Sequence, residues 1–390
     1  MNKILVLNAG SSSIKFQLFD LNLNLISKGL CERIFIDGAF EITNVLTNEK
    51  IQKSTPLSNH KDALKCILNH LISLKIIENF EEIIGAGHRV VQGGNYFNDS
   101  VFVDNNVLNK IIEYSKLAPL HNKHEADVII DLLDLIPNCK NVAVFDTTFH
   151  STMPEINYRY AIPLEWESKY LVRRYGAHGT SFHFVTENMQ NYLNKKDLNM
   201  IICHLGNGAS ICAVKNGKSY NTSMGFTPLE GLIMGTRSGD IDPSVIDYLS
   251  EELNKSSKDI TNFLNKKSGM LALTGSSDMR DIFRDKVKNK VAIEMYAQRV
   301  ANYVISYANQ LCGKIDGIVF TAGIGENCTP IIEKIIEFLP LLNLAYDQDA
   351  LNDLSYTNIK KISNNNSKYN LYQVRTNEEL MIAKNVLRFL

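Results

Sequence analysis

The chain has 390 residues, a formal net charge of −1, 45% hydrophobic residues and 21% charged residues. That length is typical of two domains of ordinary size, and a charge near zero disfavours recognition of nucleic acid or of an anionic membrane. The sequence shows no apolar run long enough to span a membrane and no signal peptide, so we expect a cytoplasmic protein. Seven cysteines without a CxxC pair argue against a disulfide framework or a structural zinc site.

The first predicted elements are two strands joined by a turn rich in glycine and serine. Residues 3–7 form a short apolar run, and residues 14–20 alternate apolar and polar side chains. The turn at 8–13 offers the backbone N–H groups and hydroxyls that a phosphate needs, and Lys15 adds a cation beyond it. An ordinary β-hairpin with a polar turn is the alternative for this stretch taken alone.

The rest of the first half predicts antiparallel strands over 35–53 and amphipathic helices over 60–75 and 124–136. Arg89 stands between a short strand and a Gly-Gly turn, where its planar fork suits an anion, with a surface ion pair as the alternative. Asp146 ends a buried type of strand, at the position where open α/β sheets bind ligands. We place a domain boundary just after this segment.

The second half repeats the architecture of the N-terminus. The strand at 200–203 leads into a Gly-rich turn, and the strand at 317–321 leads into a second one at 322–327. Strands that end in such turns predict a nucleotide cradle assembled from two similar halves. The turns match neither GxxxxGK[ST] nor GxGxxG, which disfavours a P-loop or a Rossmann site. His178 lies in a cationic, glycine-punctuated segment that precedes a helix predicted over 182–193.

Several helix starts are predicted from cap signatures. Residues 227–230 place a proline at N1 and a glutamate at N3, which predicts a short helix, and a second helix starts at 242–243. Further helices are expected over 290–312 and 331–339. Near the C-terminus, residues 376–379 predict a capping box with Glu379 at N3, whereas Glu378 has no structural role and is free to face a ligand.

The sequence resembles the acetokinase family, a branch of the actin/Hsp70/sugar-kinase superfamily, over essentially its whole length. Seven motifs in the family's order carry the resemblance: NAGSSSIK (8–15), HRVVQGG (88–94), FDTTFH (145–150), HLGNGAS (204–210), MGTRSGD (234–240), GIGEN (323–327) and TNEE (376–379). The resemblance implies an α/β fold of two actin-like (ribonuclease H-like) domains, with mixed sheets flanked by helices around a nucleotide cleft. The domains would be 1–150 with the C-terminal helix 376–390, and 151–375, which carries most of the nucleotide site.

The resemblance also implies an activity, which is reversible phosphoryl transfer from ATP to acetate, giving acetyl phosphate and ADP. It implies Mg²⁺ as the metal, with Mn²⁺ as an alternative, and a homodimer. The residues that match the family's motifs are Asn8 and Glu378 for the metal; Arg89, Val91, Leu120 and Pro228 for acetate; Asp146, His178 and Arg237 for catalysis; and, for ATP, Ser11, Ser13, Lys15, His204, Leu205, Gly206, Asn207, Gly208, Asp278, Met279, Arg280, Gly323, Ile324, Gly325, Glu326 and Asn327.

The chemistry of phosphoryl transfer agrees with this set, because it needs charge neutralisation and in-line positioning more than covalent help. The resemblance implies that His178 and Arg237 stabilise the transition state and that Asp146 is a general base. Acetate is already ionised at neutral pH, so we expect Asp146 instead to organise hydrated magnesium or an arginine.

Three other functions stay open from the sequence. A propionate kinase shares these motifs, a sugar kinase of the same superfamily fits an arginine-rich site less well, and an Hsp70- or actin-like protein would bind nucleotide without transferring phosphate. The combination of Arg89, His178 and Arg237 disfavours the last of these.

The chain departs from the family at one motif, because it reads YGAHGTSF (175–182) where the family usually has Tyr-Gly-Phe-His-Gly-Thr-Ser-His. Ala177 replaces an aromatic ring that would help to line the acyl pocket. Either the pocket is more open here, or Phe182, itself a departure, refills the space.

Ala177→Phe distinguishes these two possibilities. An extra methylene buried in an open pocket contributes about 0.8 kcal/mol, which is up to a few-fold in affinity. We therefore expect Ala177→Phe to lower kcat/KM for propionate relative to acetate, measured with both substrates on a variant shown to be folded. An unchanged ratio would mean that residue 177 does not set the acyl preference.

Overall fold

The computed structural model describes residues 2–119 and 121–390, which divide into two compact units. Unit 1 is Met1–Phe149 with Asn377–Leu390, and unit 2 is His150–Thr376. Elements are numbered along the chain. Short 3-10 helices lie at Phe80–Glu82, Tyr114–Lys116, Thr148–Thr152 and Pro340–Leu342.

The described part of unit 1 contains one mixed sheet of eight strands flanked by helices. Its strands are β1 Lys3–Ala9, β2 Ser13–Asp20, β3 Leu25–Glu32, β4 Ala39–Asn44, β5 Lys50–Ser54, β6 Ile83–Val90, β7 Val101–Phe102 and β8 Lys140–Phe145, and its helices are α1 His60–Ser73, α2 Asn105–Glu113, α3 Asn122–Leu135 and α15 Glu378–Leu387. The strand order is β5-β4-β3-β2-β1-β6-β8-β7.

Three parallel strands at the centre of this sheet fix where its polar residues lie. Strand β1 is parallel to β6, with Leu7 opposite His88, and β6 is parallel to β8, with Val90 opposite Phe145. The carboxyl ends of the three strands therefore meet at one edge of the sheet. The residues at or just beyond those ends are thereby brought together.

Unit 2 is built around a second mixed sheet, which has six strands in the order β11-β10-β9-β12-β14-β13. The strands are β9 Met200–Leu205, β10 Ala209–Lys215, β11 Lys218–Thr222, β12 Gly317–Thr321, β13 Ile359–Lys361 and β14 Leu371–Val374. The helices are α4 Glu155–Tyr158, α5 Leu164–Tyr170, α6 Gly179–Leu193, α7 Ser244–Glu252, α8 Ser257–Lys266, α9 Gly269–Thr274, α10 Met279–Arg284, α11 Lys290–Gln310, α12 Ala322–Asn327, α13 Thr329–Glu337 and α14 Gln348–Asn352.

The repeat seen in the sequence is confirmed at the level of the strands. As β1 pairs with β2 in antiparallel and with β6 in parallel fashion, so β9 pairs with β10 and with β12, which sets His204 opposite Thr321. The long helix α11 contributes Tyr296, Val300 and Val304 to the core under this sheet.

The C-terminal helix α15 packs on unit 1 because two glycines of β6 leave room for it. A Cβ atom on Gly87 would lie 2.4 Å from Cγ2 of Ile382, and one on Gly85 would lie 2.8 Å from Cγ1 of Val386. Any side chain at these two positions would push the helix away from the sheet.

Most of the long elements expected from periodicity are confirmed, including the helices α1, α3, α6, α7, α11 and α13. Two local predictions are wrong. The segment 322–327, expected as a turn, is the short helix α12, and residues 227–230, expected to begin a helix, form a turn. Glu230 does not cap that segment because its carboxylate instead accepts hydrogen bonds from Arg174 and from the hydroxyl of Tyr160.

Two composition-based expectations can also be compared with the structure. All seven cysteines are free thiols. In the described ranges 2–119 and 121–390, every helix is too short or too polar to cross a bilayer.

Gly87→Ala tests the packing of α15. The added methyl would collide with Ile382, so we expect a loss of about 1–3 kcal/mol in the free energy of unfolding, measured by equilibrium urea denaturation. In an Ile382→Ala background, which removes the colliding methyl, the same substitution should cost less. An equal cost in both backgrounds would show that the close approach of α15 to β6 does not limit residue 87.

Candidate active site

The edge of the unit 1 sheet carries a partly buried cluster that we call the Arg89 cluster: Asn8, Arg89 and Asp146. Nη2 of Arg89 donates to Oδ2 of Asp146 at 2.6 Å, Nε donates to Oδ1 at 3.1 Å, and Nη1 donates to Oδ1 of Asn8 at 3.1 Å. Asp146 is fully buried. Burial opposes the charge of Arg89, but the neighbouring Asp146 outweighs it and holds the pKa of the guanidinium above its ordinary value. These contacts use three of its five N–H groups, which leaves two for a ligand.

Two further carboxyl groups lie near the charge of Arg89: Glu125 is buried, and Glu378 is half-buried with its Oε1 atom enclosed. Oε1 of Glu378 and Oε1 of Glu125 each lack a hydrogen-bond partner among residues 2–119 and 121–390. Burial raises the pKa of Glu378 to about 7, against the opposing effect of Arg89. Burial likewise raises the pKa of Glu125 to about 8, although the Val91 amide and Arg89 oppose the rise. Near neutral pH, a fraction of the Glu378 and Glu125 carboxyl groups is therefore uncharged.

The residues expected to hold magnesium fit the chemistry of that ion. The described part of the chain contains no group of three or more His, Cys, Asp or Glu side chains that could hold a metal. Magnesium does not need one, because it usually keeps several waters and binds one or two carboxylates together with substrate phosphates. The unpartnered buried oxygen of Glu378 and the amide oxygen of Asn8 are oxygen ligands of the kind that magnesium binds.

The capping box expected at 376–379 is wrong by one position. Asn377 is the N-cap, its side chain accepts the N–H of Leu380 at 2.9 Å, and the helix begins at Glu378. Glu379 therefore stands at N2 and forms an ion pair with Lys15. The register shifts because the asparagine is an effective N-cap, whereas the hydroxyl of Thr376 contacts Ser181 at 2.8 Å.

The N-terminal turn closes tightly, since the Gly10 amide donates to the Ser13 carbonyl at 2.8 Å. The side chain of Ser11 is exposed and that of Ser13 is half-buried. Lys15 is half exposed, and its ammonium group forms an ion pair with the carboxylate of Glu379, outside the turn.

In unit 2, two histidine rings stack at the ends of neighbouring elements. His178 precedes α6 with a left-handed φ of 56°, and its ring lies 4.1 Å from that of His204, centroid to centroid. Nδ1 of His178 is 2.8 Å from the Ser210 hydroxyl, and Nδ1 of His204 is 2.8 Å from the Ser181 hydroxyl. These hydrogen bonds fix the orientation of both rings.

His178 and Arg237 converge on one glycine of unit 2. A Cβ atom on Gly208 would lie 3.4 Å from Nε2 of His178 and 3.6 Å from Nη1 of Arg237. The same Nη1 donates to the Pro228 carbonyl at 3.1 Å, which fixes the guanidinium in its loop. The glycine thus keeps the space between an imidazole and a guanidinium free of a side chain.

The turn after β9 is stabilised by the loop that carries Arg237. The Gly235 amide donates to the Asn207 carbonyl at 2.9 Å, and a Cβ on Gly235 would lie 1.7 Å from Oδ1 of Asn207. The Gly206 amide donates to the Gly208 carbonyl at 3.1 Å, which closes the turn. Leu205, in the same run, is buried in the core.

Four other nucleotide candidates make structural contacts: Asp278, Met279, Arg280 and Glu326. The carboxylate of Asp278 caps α10 and accepts the exposed guanidinium of Arg280, while the Met279 side chain is buried in the core. Oε1 of Glu326 accepts the amides of Ala322 at 2.9 Å and Thr376 at 3.0 Å.

The other members of the last nucleotide run are more open. Gly323 and Asn327 are exposed, Ile324 is half-buried, and a Cβ on Gly323 would meet nothing within 4 Å. Gly325 is buried against the backbone of Phe320, where a Cβ would approach to 3.1 Å.

The residues expected to line the acyl pocket are only partly described. Val91 and Ala177 are buried, the Ala177 carbonyl is 3.0 Å from Nε2 of His150, and Leu120 lies outside the described residues. The ring of Phe182 meets that of His150 edge-on at 5.5 Å and that of His204 at 6.1 Å. Phe182 therefore occupies space beside both histidines.

Sequence reasoning missed Glu125, a buried acid near Arg89. A signal for it was present, because helical spacing sets residue 125 on the same face as the buried Ile129 and Leu132. A glutamate on an apolar face needs a partner, and the partner is the Val91 amide at 3.0 Å.

A model of the acetokinase family matches residues 3–384. The chain belongs to this family. An acetate kinase of Mycoplasma pneumoniae is 57% identical over 387 residues, which is 99% of this chain and 98% of that relative. A crystal structure of a propionate kinase from Francisella tularensis has 42% identity and a TM-score of 0.94, with 100% of both chains covered. A Porphyromonas gingivalis acetate kinase structure has 38% identity and a TM-score of 0.91, with 100% of this chain and 99% of that one covered.

The resemblance expected from seven motifs is thereby confirmed, and so is the expected α/β class with mixed sheets flanked by helices. The acetokinase assignment also confirms the expected enzyme class, a kinase that transfers a phosphoryl group to a carboxylate.

Glu378→Ala and Glu379→Ala separate the metal role from the structural one. Loss of Glu378 should raise the magnesium concentration for half-maximal activity by about 10- to 100-fold. Loss of Glu379 removes an ion pair with a half-exposed lysine, so it should leave magnesium dependence unchanged and cost about 1 kcal/mol or less of stability. Equal shifts of magnesium dependence in both variants would mean that the two glutamates are assigned the wrong way round.

Proposed function

We propose that the protein is an acetate kinase, which catalyses reversible transfer of the terminal phosphoryl group of ATP to acetate. The observation that carries this proposal is the convergence of His178 and Arg237 on the open space at Gly208. Phosphoryl transfer is catalysed by positioning and by donors aimed at the equatorial oxygens of the transferred group, and an arginine in that role is worth roughly 10³–10⁵ in rate.

Two side chains and one turn of unit 2 have defined parts in this reaction. Arg237 neutralises charge on the transferred phosphoryl group, and its hydrogen bond to the Pro228 carbonyl holds it in place. His178 presents Nε2 while Ser210 holds Nδ1, so the ring does not rotate away. The glycines of the 206–208 turn let phosphate oxygens approach backbone N–H groups.

The residues of unit 1 would hold the acceptor and the metal. Arg89 has two N–H groups beyond those used by Asp146 and Asn8, and these would bind the carboxylate of acetate. When bound, Mg²⁺ neutralises phosphate charge, and Asn8 and Glu378 would hold it. Mn²⁺ would be accepted by the same oxygen donors.

We assign Asp146 to orientation and not to proton removal. Its carboxylate is fully buried and receives two N–H groups of Arg89, and acetate carries no proton to remove at neutral pH. Asp146 therefore fixes the plane of the guanidinium that receives the substrate.

Propionate kinase is the second candidate, because Ala177 replaces an acyl-site ring and because one similar solved structure is named a propionate kinase. On the family resemblance we also propose a homodimer that works in the cytoplasm.

The direct test is ADP release on addition of acetate to enzyme, ATP and Mg²⁺, with acetyl phosphate trapped as the hydroxamate by hydroxylamine. Acetate, propionate and butyrate are compared in parallel. We expect ADP and hydroxamate in equal amounts, and Arg237→Ala should lower kcat far more than it raises KM for ATP. ADP release that is independent of any carboxylate, or a loss in Arg237→Ala confined to ATP affinity, would contradict the proposal.

A further inference from the structure

The first turn of α3 holds the backbone that directly follows Arg89. Nδ2 of Asn122 donates to the Gln92 carbonyl at 2.8 Å, and Oδ1 of Asn122 accepts the Gln92 amide at 3.1 Å. Oε2 of Glu125 accepts the Val91 amide at 3.0 Å. Because Asn122 and Glu125 are both buried, these three hydrogen bonds fix the backbone of Val91 and Gln92, shortly after Arg89 in the chain.

Glu125 differs from Asn122 because it can ionise. One of its oxygens holds Val91, and the other is buried without a partner in the part of the chain that the structure describes. The charged groups that act on it are Arg89, on β6, and Asp146, just beyond β8. A glutamine would make the same hydrogen bond to Val91 without this charge, so the bond alone does not account for an acid at this position.

The charges around Arg89 indicate how ionisation of Glu125 would affect the binding of an anion. The single positive charge of Arg89 is already balanced by Asp146, which it contacts through a bidentate ion pair. An ionised Glu125 would add a further negative charge near the guanidinium, which is already balanced by Asp146 and also feels Glu378. This charge would repel a carboxylate anion that approaches Arg89, and the repulsion would be stronger in a buried site than in water. Burial raises the pKa of Glu125 to about 8, which keeps it largely uncharged at neutral pH.

We propose that Glu125 is a positioning residue for the carboxylate substrate, which holds the Val91 amide while uncharged and opposes binding of the anion when it ionises. This proposal rests on the proposed function and adds to it a residue and a pH dependence. Glu125 acts through Val91 and Arg89, and it takes no part in the transfer itself.

The test measures KM for acetate and KM for ATP between pH 6.5 and 9.5, with the other substrate and magnesium saturating. In the wild-type enzyme we expect KM for acetate to rise roughly ten-fold as pH passes through about 8, with KM for ATP unchanged. Glu125→Gln should bind acetate with a KM that lacks this rise. Glu113→Gln, which removes an exposed acid of α2, is the matched control and should follow the wild type.

A second readout needs no substrate. Glu125 is neutral in the folded state up to pH of about 8 but ionises near 4.5 once unfolded, so the wild-type free energy of unfolding should fall as pH rises through that window. Glu125→Gln cannot ionise and should show less of this fall, as measured by urea denaturation at pH 5 and pH 8.

The outcomes separate this proposal from the proposed function. A wild-type enzyme that forms hydroxamate but has a constant KM for acetate across pH 8 would overturn the role of Glu125 and leave the function standing, and so would an unchanged rise in Glu125→Gln. A protein that forms no hydroxamate would overturn the function. In that case, an equal pH dependence of unfolding in the wild type and Glu125→Gln would overturn the proposal about Glu125 as well.

Discussion

The buried ion pair between Arg89 and Asp146 is the interaction on which the unit 1 site depends. Both groups lie at the carboxyl ends of adjacent parallel strands, so the register of β6 against β8 sets their distance. Removing one member of such a pair leaves a buried charge without compensation, which typically costs 3–5 kcal/mol. Asn8 reaches the same guanidinium only because β1 is the next strand along. The order and register of these strands, acting through the ion pair, therefore fix the orientation of the Arg89 guanidinium.

The two candidate catalytic side chains of unit 2 are oriented by other kinds of contact. His178 is oriented by a ring stack and a hydroxyl, and Arg237 by a backbone carbonyl. An arginine that binds a small anion gains precision from a partner that fixes the plane of its guanidinium, as Asp146 does for Arg89.

Much of the fold could be predicted from the sequence, because hydrophobic periodicity and glycine-rich strand ends are local signals. Helices such as α1 and α11 follow from such periodicity, and the positions of Arg89 and Asp146 follow from strand ends. The failures involve partners distant in sequence. Glu230 is engaged by Arg174 and Tyr160, which no local cap signature reveals. Glu125 was not predicted as a site residue because hydrophobic periodicity identifies the buried face of a helix but not the Val91 amide that this side chain contacts.

The position of α15 has a consequence for how unit 1 folds during synthesis. Helix α15 follows the whole of unit 2 in the sequence, yet it packs on β6, one of the central strands of unit 1. Unit 1 therefore cannot finish its core until synthesis of the whole of unit 2 is complete. Since Glu378 begins this helix, its carboxylate also reaches the unit 1 sheet only after unit 2 has been made. Until α15 packs there, the apolar face of the sheet that it covers stays exposed, and exposed apolar surface makes an incomplete chain prone to aggregation.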